Sequence, residues 1–276
     1  MTEQFKLSIL IGDDPDRPPS QIAPGFDLAE IAAGLQLMPF EGNDQWTKKQ
    51  AEIASWKTPP IRISSHYLEG LPGQRLTGPN VDLELQEFYV KRLFTRLADV
   101  GVKTIGIGGW CFPVVEGFSK TKTMDQAIAH CNFIADQAAV HGMVIALEPQ
   151  AELDTLIPRY LDGIAFAKEV ARPEIRVMAD LAYFLKIPQP LEHIKQDPEY
   201  CMHCHIAGAG GAQPGVGDML EIHTHLFRIF RDIGYQGAIS CACPWVSTKG
   251  GPLDFGYETA KTLRYVQDIR DKVYSE

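Results

Sequence analysis

Eight short apolar segments that alternate with helix-forming stretches are the feature that most constrains the fold of this chain. The segments are rich in Ile, Leu, Val and Ala, and most of them end at a turn or at a polar residue. Short apolar strands separated by helices favour a parallel sheet with the helices packed outside it. The eight predicted strands cover residues 5–11, 26–31, 61–66, 103–109, 142–150, 175–181, 201–207 and 237–243.

The number and order of these units predict a single (β/α)8 TIM barrel over residues 1–276, rather than two open sheets. The clearest predicted helix covers 81–100, where apolar side chains repeat every four residues. Another, over 123–141, starts from a capping pattern of Thr123 and Gln126. A run rich in Gly and Pro from Glu69 to Pro79 has the length of a lid or binding loop.

Charge and composition exclude several classes of protein. The formal net charge is −9, from 26 basic and 35 acidic residues, and the chain lacks the Lys/Arg run that a nucleic-acid partner would need. Apolar runs stay well below the ~18 residues of a membrane span. The segment MTEQFKLSILIGDD lacks a signal-peptide pattern, and six cysteines are few for 276 residues. We therefore expect a reduced, cytoplasmic protein without a membrane partner.

Polar residues stand where several predicted strands end, which is where parallel α/β folds keep their functional sites. The apolar run from Met143 to Leu147 stops at Glu148, and His66, Asp180 and His205 end other strands. Glu148, Asp180 and His205 follow consecutive strands, and two carboxylates with an imidazole are a normal ligand set for Mn²⁺, Zn²⁺, Co²⁺ or Mg²⁺. The alternative is that each is an ordinary polar residue at the barrel rim.

Cysteine and histidine alternate in the seventh strand, where Cys201 and Cys204 flank His203 and precede His205. Such spacing resembles a zinc knuckle. On a strand, however, Cys204 faces away from the other three residues, so four ligands cannot converge. We expect the thiols to be buried structural groups.

Five short motifs, in order along the chain, resemble the xylose isomerase-like TIM-barrel superfamily of sugar isomerases and epimerases. This superfamily includes tagatose 3-epimerases, hydroxypyruvate isomerases, inosose dehydratases and endonuclease IV. The resemblance extends from the second strand to the last helix. The motifs are Leu147-Glu148-Pro149, Met178-Ala179-Asp180, His205-Ile206-Ala207, the run 214–218 and the run 233–237.

This resemblance implies that Glu148, Asp180 and His205 bind a divalent metal ion together with a glutamate on strand eight. That position falls on Ala242 here. Strand alternation supports the placement if Ala238, Ser240 and Ala242 face inward, whereas a register slip would point Cys241 or Cys243 at the ion. Two further departures are Tyr183, where many relatives have a histidine, and Gly208, where relatives often have an aspartate.

The resulting hypothesis is a metal-assisted isomerase or epimerase that removes a proton next to the carbonyl of a sugar-like substrate. Glu148 or His66 would be the base, and the three-ligand ion would be weakly bound. Trp110, Tyr183 and His203 are the candidate substrate-binding residues, although Trp110 and Tyr183 could equally be rim packing. The alternatives are a lyase or dehydratase of a keto-sugar or inosose, and a non-catalytic barrel. Homo-oligomers are common among relatives.

Overall fold

Eight parallel strands close into a barrel in the computed structural model, which describes residues 3–71, 73, 75–151 and 154–276. Each strand pairs with its neighbours in sequence, and the last pairs with the first. The strands are β1 (Lys6–Ile11), β2 (Leu28–Ala32), β3 (Ile61–Ser65), β4 (Thr104–Gly108), β5 (Val144–Glu148), β6 (Ile175–Asp180), β7 (Cys201–Ile206) and β8 (Ala238–Cys241). The predicted (β/α)8 TIM barrel is therefore confirmed.

Eight α-helices in the described ranges surround the barrel. They are α1 (Ala33–Gln36), α2 (Asn43–Ser55), α3 (Leu83–Asp99), α4 (Lys120–His141), α5 (Tyr160–Val170), α6 (Leu181–Lys186), α7 (Leu220–Asp232) and α8 (Phe255–Ser275). In α3 the predicted apolar stripe is buried at Tyr89, Leu93 and Leu97. Outward-facing strand residues such as Ile105 and Ile145 are fully buried beneath the helices, which forms the main apolar core.

The start of α4 differs from the prediction. The helix begins at Lys120, and its N-cap is Ser119, whose hydroxyl accepts a hydrogen bond from the backbone N–H of Lys122. Gln126 does not cap this helix. Its side-chain amide instead exchanges two hydrogen bonds with the backbone of Gly78, at 2.8 and 3.0 Å, and so fixes the end of the 69–79 segment. Pro72 and Gln74 of the predicted lid lie outside the described residues.

The connection between β1 and β2 interrupts the alternation of strands and helices. Residues 12–27 form a loop with only a short 3₁₀ turn, Pro19–Gln21, and both α1 and α2 follow β2 instead. Pro15, Pro18 and Pro19 explain this locally, because proline lacks the N–H donor of a helix interior. Arg17 of this loop donates a hydrogen bond to the carbonyl oxygen of Cys243, just after β8.

The barrel interior is unusually polar. Ser8, Glu30, His203 and Ser240 are all fully buried, and they lie on strands whose alternate residues face outward to the apolar core. Small residues such as Gly106 and Ala146 leave room among them. No helix in the described part of the chain is long and apolar enough to cross a membrane.

One histidine of the outer shell makes stability depend on pH. His130 on α4 is 7% exposed, and its Nε2 lies 3.1 Å from the hydroxyl of Tyr67. Burial lowers the pKa of His130 from 6.5 to about 3. Between these values the unfolded chain binds a proton that the folded chain does not, so the free energy of unfolding falls as the pH falls.

We therefore expect His130→Gln to reduce acid sensitivity. Between pH 7.5 and 5.0, the free energy of unfolding measured by urea should fall by about 2 kcal/mol less in this variant than in the original protein. His225→Gln, which changes an exposed histidine on α7, is the control and should keep the original drop. An equal drop in all three proteins would contradict the assignment.

Candidate metal and substrate site

A cavity of about 550 Å³ opens at the C-terminal mouth of the barrel. It lies where the strand-end residues were predicted to converge, and Ala242 forms part of its wall. Six of the seven predicted site residues line it, namely His66, Trp110, Glu148, Asp180, Tyr183 and His205. His203 is the exception.

Glu148, Asp180 and His205 form a cluster whose candidate ligand atoms all lie within 4.8 Å of one another. Nδ1 of His205 is 3.2 Å from Oε1 of Glu148 and 3.7 Å from Oδ2 of Asp180. Two oxygens and one nitrogen converging on one point suit Mn²⁺, Zn²⁺ or Co²⁺. The residues therefore fit the divalent ion that the resemblance implied.

The other side of the His205 ring contacts Glu30, which sequence analysis did not identify as a site residue. Oε1 of Glu30 lies 3.0 Å from Nε2 of His205, and its Oε2 lies 3.0 Å from Nε2 of His203. Although burial alone would raise the pKa of Glu30, the two imidazoles hold that pKa well below its usual value. An ionised Glu30 accepts the Nε2–H of His205 and leaves Nδ1 free to bind a cation.

Charge around His205 explains how a cation would be accommodated. Burial lowers the pKa of His205, but Glu30, Asp180 and Glu148 together outweigh it and raise that pKa well above its usual value. The three carboxyl groups thus favour a positive charge at His205. An ion can bind at Nδ1 only after that nitrogen has lost its proton. The positive charge of the ion would then replace that of the protonated ring beside the carboxylates.

His203 does not reach the cavity, and the structure gives no support to its predicted contact with substrate. It is fully buried behind His205, with the two ring centroids 5.0 Å apart, and burial lowers the pKa of His203. The two residues share a face of β7, but His203 is one strand repeat deeper in the barrel. Its contact with Glu30 gives it a supporting position instead.

Glu30, His203 and His205 are also close enough to hold an ion. All three are buried, and their nitrogen–oxygen distances of 3.0 Å are ordinary hydrogen-bond distances. This cluster supports the one at the mouth through the shared His205 ring.

Strand β7 continues unbroken from Cys201 to Ile206, so the zinc-knuckle reading is excluded. All six cysteines are free and buried, as expected for structural thiols. Neither candidate metal cluster in the described residues contains a cysteine. Cys243 is part of the cavity wall, and burial raises the pKa of its thiol well above the usual value.

Gln150 fixes the orientation of Glu148. Its Nε2 donates to Oε2 of Glu148 at 3.0 Å, and its Oε1 accepts from the backbone N–H of Trp110 at 2.8 Å. Oε1 of Glu148 remains directed at His205. A side chain at Gly108 would prevent this arrangement, because its Cβ would lie 2.6 Å from the Trp110 ring and 2.7 Å from Nε2 of Gln150.

The remaining predicted residues are also held in place by neighbouring groups. Oδ1 of Asp180 caps α6 by accepting the N–H of Ala182 at 2.7 Å, which leaves Oδ2 toward His205. The same helix carries Tyr183 to the cavity. His66 adopts the left-handed region at φ 58°, and its Nδ1 lies 2.5 Å from Oε1 of Glu69. Strained backbone of this kind often occurs at functional sites.

Strand eight supplies no carboxylate to the site. Ala242 lines the cavity in the predicted register, and Ser240 pairs with His205. Gly208 is also required, since its Cβ would lie 2.4 Å from the carbonyl oxygen of Gln213. An aspartate at position 208 would therefore collide with the backbone.

Asp13 and Arg17, from the loop after β1, were missed by the sequence analysis. Both line the cavity, and Oδ2 of Asp13 lies 2.9 Å from Nη2 of Arg17. The only sequence signal was that Asp13 follows the first strand closely. It resembled an ordinary loop residue among prolines and aspartates.

The role of Glu30 can be tested through metal affinity. Glu30→Gln removes the charge that fixes His205, so we expect Mn²⁺ affinity to fall by about 10–100-fold in calorimetric titration. Glu258→Gln is the matched control, because Glu258 is a buried carboxylate outside the cavity that bonds Gln213 and Thr248. Equal affinities in the two variants would contradict the assigned role.

Comparisons with known proteins agree with the barrel. The chain resembles a D-psicose 3-epimerase solved in the presence of D-fructose, with TM-score 0.77, 17% identity and coverage of 96% of this chain and 99% of the other. It also resembles a 3-keto-D-glucoside 4-epimerase from E. coli, with TM-score 0.72, 17% identity and coverage of 99% and 100%. A D-psicose 3-epimerase from Clostridium cellulolyticum H10 gives TM-score 0.71, 22% identity and coverage of 98% and 99%.

At these identities the structural likeness establishes the fold alone. A search of curated proteins found no match. The model of the xylose isomerase-like TIM barrel family matches residues 25–268. That match covers most of the sequence, and the chain accordingly belongs to the xylose isomerase-like TIM barrel family.

Proposed function

We propose that this protein is a metal-dependent isomerase or epimerase of a sugar or a related polyhydroxylated carbonyl compound. The observation that carries the proposal is the convergence of Glu148, Asp180 and His205 within 4.8 Å of one another in a cavity of about 550 Å³. A cavity of this size accommodates a monosaccharide. The epimerases among the similar structures, which act on sugars by their names, support the same class.

Glu148, Asp180 and His205 would hold the ion. A divalent ion in this position supplies positive charge that polarises the substrate's carbonyl or hydroxyl oxygens. Glu30 keeps the His205 ring in the orientation that binding requires, and Asp180 is held by its contact with α6. The protein therefore positions its ligands through groups that do not themselves touch the substrate.

Glu148 is the proposed base for the proton next to the carbonyl. Burial raises the pKa of Glu148, and Asp180 adds to this while His205 opposes it. A carboxylate whose pKa is raised holds a transferred proton better than an exposed one does. Gln150 donates a hydrogen bond to Oε2 and so restrains rotation of the Glu148 carboxylate.

His66, Trp110 and Tyr183 are the proposed substrate contacts. Because Nδ1 of His66 faces Glu69, its Nε2 is left to bond a substrate oxygen or to move a proton. Trp110 offers an aromatic surface and Tyr183 a hydroxyl group. These groups lie around a common space, as recognition of a polyol requires.

A lyase acting on a keto-sugar or inosose is the second candidate, and Ala242 is the observation in its favour. Elimination next to a carbonyl needs one base on the carbon, and strand eight offers no second carboxylate. The remaining alternative is a non-catalytic barrel. The convergence of three ligand groups weighs against it, since a barrel without catalytic function does not need these groups at one point.

Removal of the proposed base should stop proton abstraction. With Mn²⁺ in excess, we expect Glu148→Gln to slow exchange of the substrate α-proton with D₂O by roughly 10²–10⁴-fold. Proton NMR with a panel of ketoses, keto-glycosides and inososes measures this exchange, and product analysis separates isomers from elimination products. Metal content measured in parallel distinguishes a lost base from a lost ion.

Glu258→Gln serves again as the control for loss of a buried carboxylate outside the cavity. It should exchange at the rate of the original protein. If the metal-loaded original protein neither exchanges nor converts any member of the panel, the proposed function is wrong.

A further inference from the structure

The wall of the cavity beside Ala242 contains a charged pair from another part of the chain. Nη1 of Arg17 donates to the carbonyl oxygen of Cys243 at 3.0 Å, which places the guanidinium next to the end of β8. Nη2 of the same group lies 2.9 Å from Oδ2 of Asp13. Both side chains are only 12–13% exposed, and both line the cavity.

The start of the loop is fixed, so Asp13 is held at this wall. Gly12 takes φ 77°, a conformation that favours glycine, and its carbonyl accepts a hydrogen bond from Nε2 of Gln36 at 2.6 Å. Arg17 then links Asp13, just after β1, to the backbone of Cys243, just after the neighbouring strand β8. Asp13 is thereby held by two contacts with the barrel. Gly12, before it in the chain, bonds Gln36, and Arg17, after it, bonds Cys243.

Barrel topology sets the direction from which Asp13 approaches the substrate. In the closed order of eight strands, β1 is four strands from β5 in either direction. Asp13 follows β1 and Glu148 ends β5, so the two carboxylates stand on opposite walls of one cavity. Asp13 is also absent from both candidate metal clusters, so an ion would not occupy it.

We propose that Asp13 is a second catalytic acid–base residue, which acts on the face of the substrate opposite Glu148 and is positioned by Arg17. This inference rests on the proposed function and narrows it to epimerisation. The second acid–base group then comes from the loop after β1, since strand eight offers no carboxylate to the cavity.

The proton balance of this step is simple. Glu148 removes the proton from the carbon next to the carbonyl. The electrons of the broken C–H bond form a C=C bond, and the carbonyl π electrons move to the oxygen to give an enediolate. Protonated Asp13 then delivers its proton to the same carbon from the other face, as the C=C electrons form the new C–H bond and the oxygen re-forms the C=O bond. The product is the epimer, with Glu148 protonated and Asp13 ionised. Exchange with water resets both groups, and nothing is oxidised or reduced.

The pKa of Asp13 is raised above its usual value. Burial is the largest cause and Asp14 adds to it, whereas Arg17 and His66 lower that pKa. Asp13 therefore holds a proton more readily than a solvated aspartate does.

His66 is the competing candidate for the second acid–base group, because it lines the same cavity. It follows β3, which lies two strands from both β1 and β5 in the barrel order. His66 therefore lies on a side wall between Glu148 and Asp13, and not on the wall opposite Glu148. We therefore assign His66 to the substrate oxygens.

The test separates exchange from epimerisation in Mn²⁺-loaded protein, with D-fructose, D-psicose and D-tagatose as probes in D₂O. We expect Asp13→Asn to lower epimer formation by about 10²-fold or more, while Glu148 still exchanges the α-proton of the epimer whose C–H bond faces it. Asp14→Asn is the matched control. Asp14 also contacts Arg17, at 3.1 Å, but does not line the cavity, so both rates should stay within about twofold of the original.

Arg17 is tested as a positioning residue. Arg17→Met should reproduce the split between retained exchange and lost epimerisation, and Arg17→Lys should recover part of the epimerisation by restoring the charge. Melting temperature and Mn²⁺ content are measured for every variant. A merely structural role would lower exchange and epimerisation together, without rescue by lysine.

Three results would overturn the inference. One is epimerisation by Asp13→Asn at the original rate, and another is an equal loss of exchange and epimerisation in that variant. A third is retained exchange with lost epimerisation in His66→Asn but not in Asp13→Asn, which would assign the role to His66. Inactivity of the original protein toward all probes would instead reject the proposed function itself, and this inference with it.

Discussion

The arrangement of the site depends on one buried carboxylate. Glu30 has no solvent exposure, and an ionised group in such a position is destabilising by several kcal/mol unless it is fully paired. Both of its oxygens face imidazole nitrogens, those of His203 and His205. This pairing offsets the desolvation of Glu30 and fixes the ring that faces Glu148 and Asp180. Without the contact with Glu30, the His205 ring would lose the hydrogen bond that fixes its orientation.

Polarity inside the barrel divides the molecule into two layers. Ser8, Ser65 and Ser240 have buried hydroxyls with no protein partner in the described part of the chain, so the interior contributes little apolar packing. Stability must come mainly from the outer layer, where the strands pack against the helices. Residues inside the barrel can therefore be selected for the site instead of for packing. Substitutions that shorten apolar side chains in the outer layer are expected to be destabilising.

Much of this architecture could be predicted from the sequence because it follows from local periodicity. Strand alternation placed Ala242 in the cavity wall and Cys204 away from His205, and strand ends placed Glu148 and Asp180 at the mouth. Glu30 could not be found this way, because its partners on β7 are adjacent only after the barrel closes. Asp13 was missed because it lies in a loop without periodicity. His203 lies outside the cavity, which could not be predicted because alternation gives the face of a strand but not the depth within the barrel.

The absence of a helix between β1 and β2 has a consequence for how such a protein diversifies. The proposed ion ligands lie on β5 to β7, whereas the charged pair opposite them belongs to a loop over residues 12–27. Loops accept insertions and exchanges that strands do not. If the proposed roles hold, ion binding and stereochemical outcome are encoded in separable parts of the gene. Recombination at the first loop would then change specificity while the proposed ion ligands stay in place.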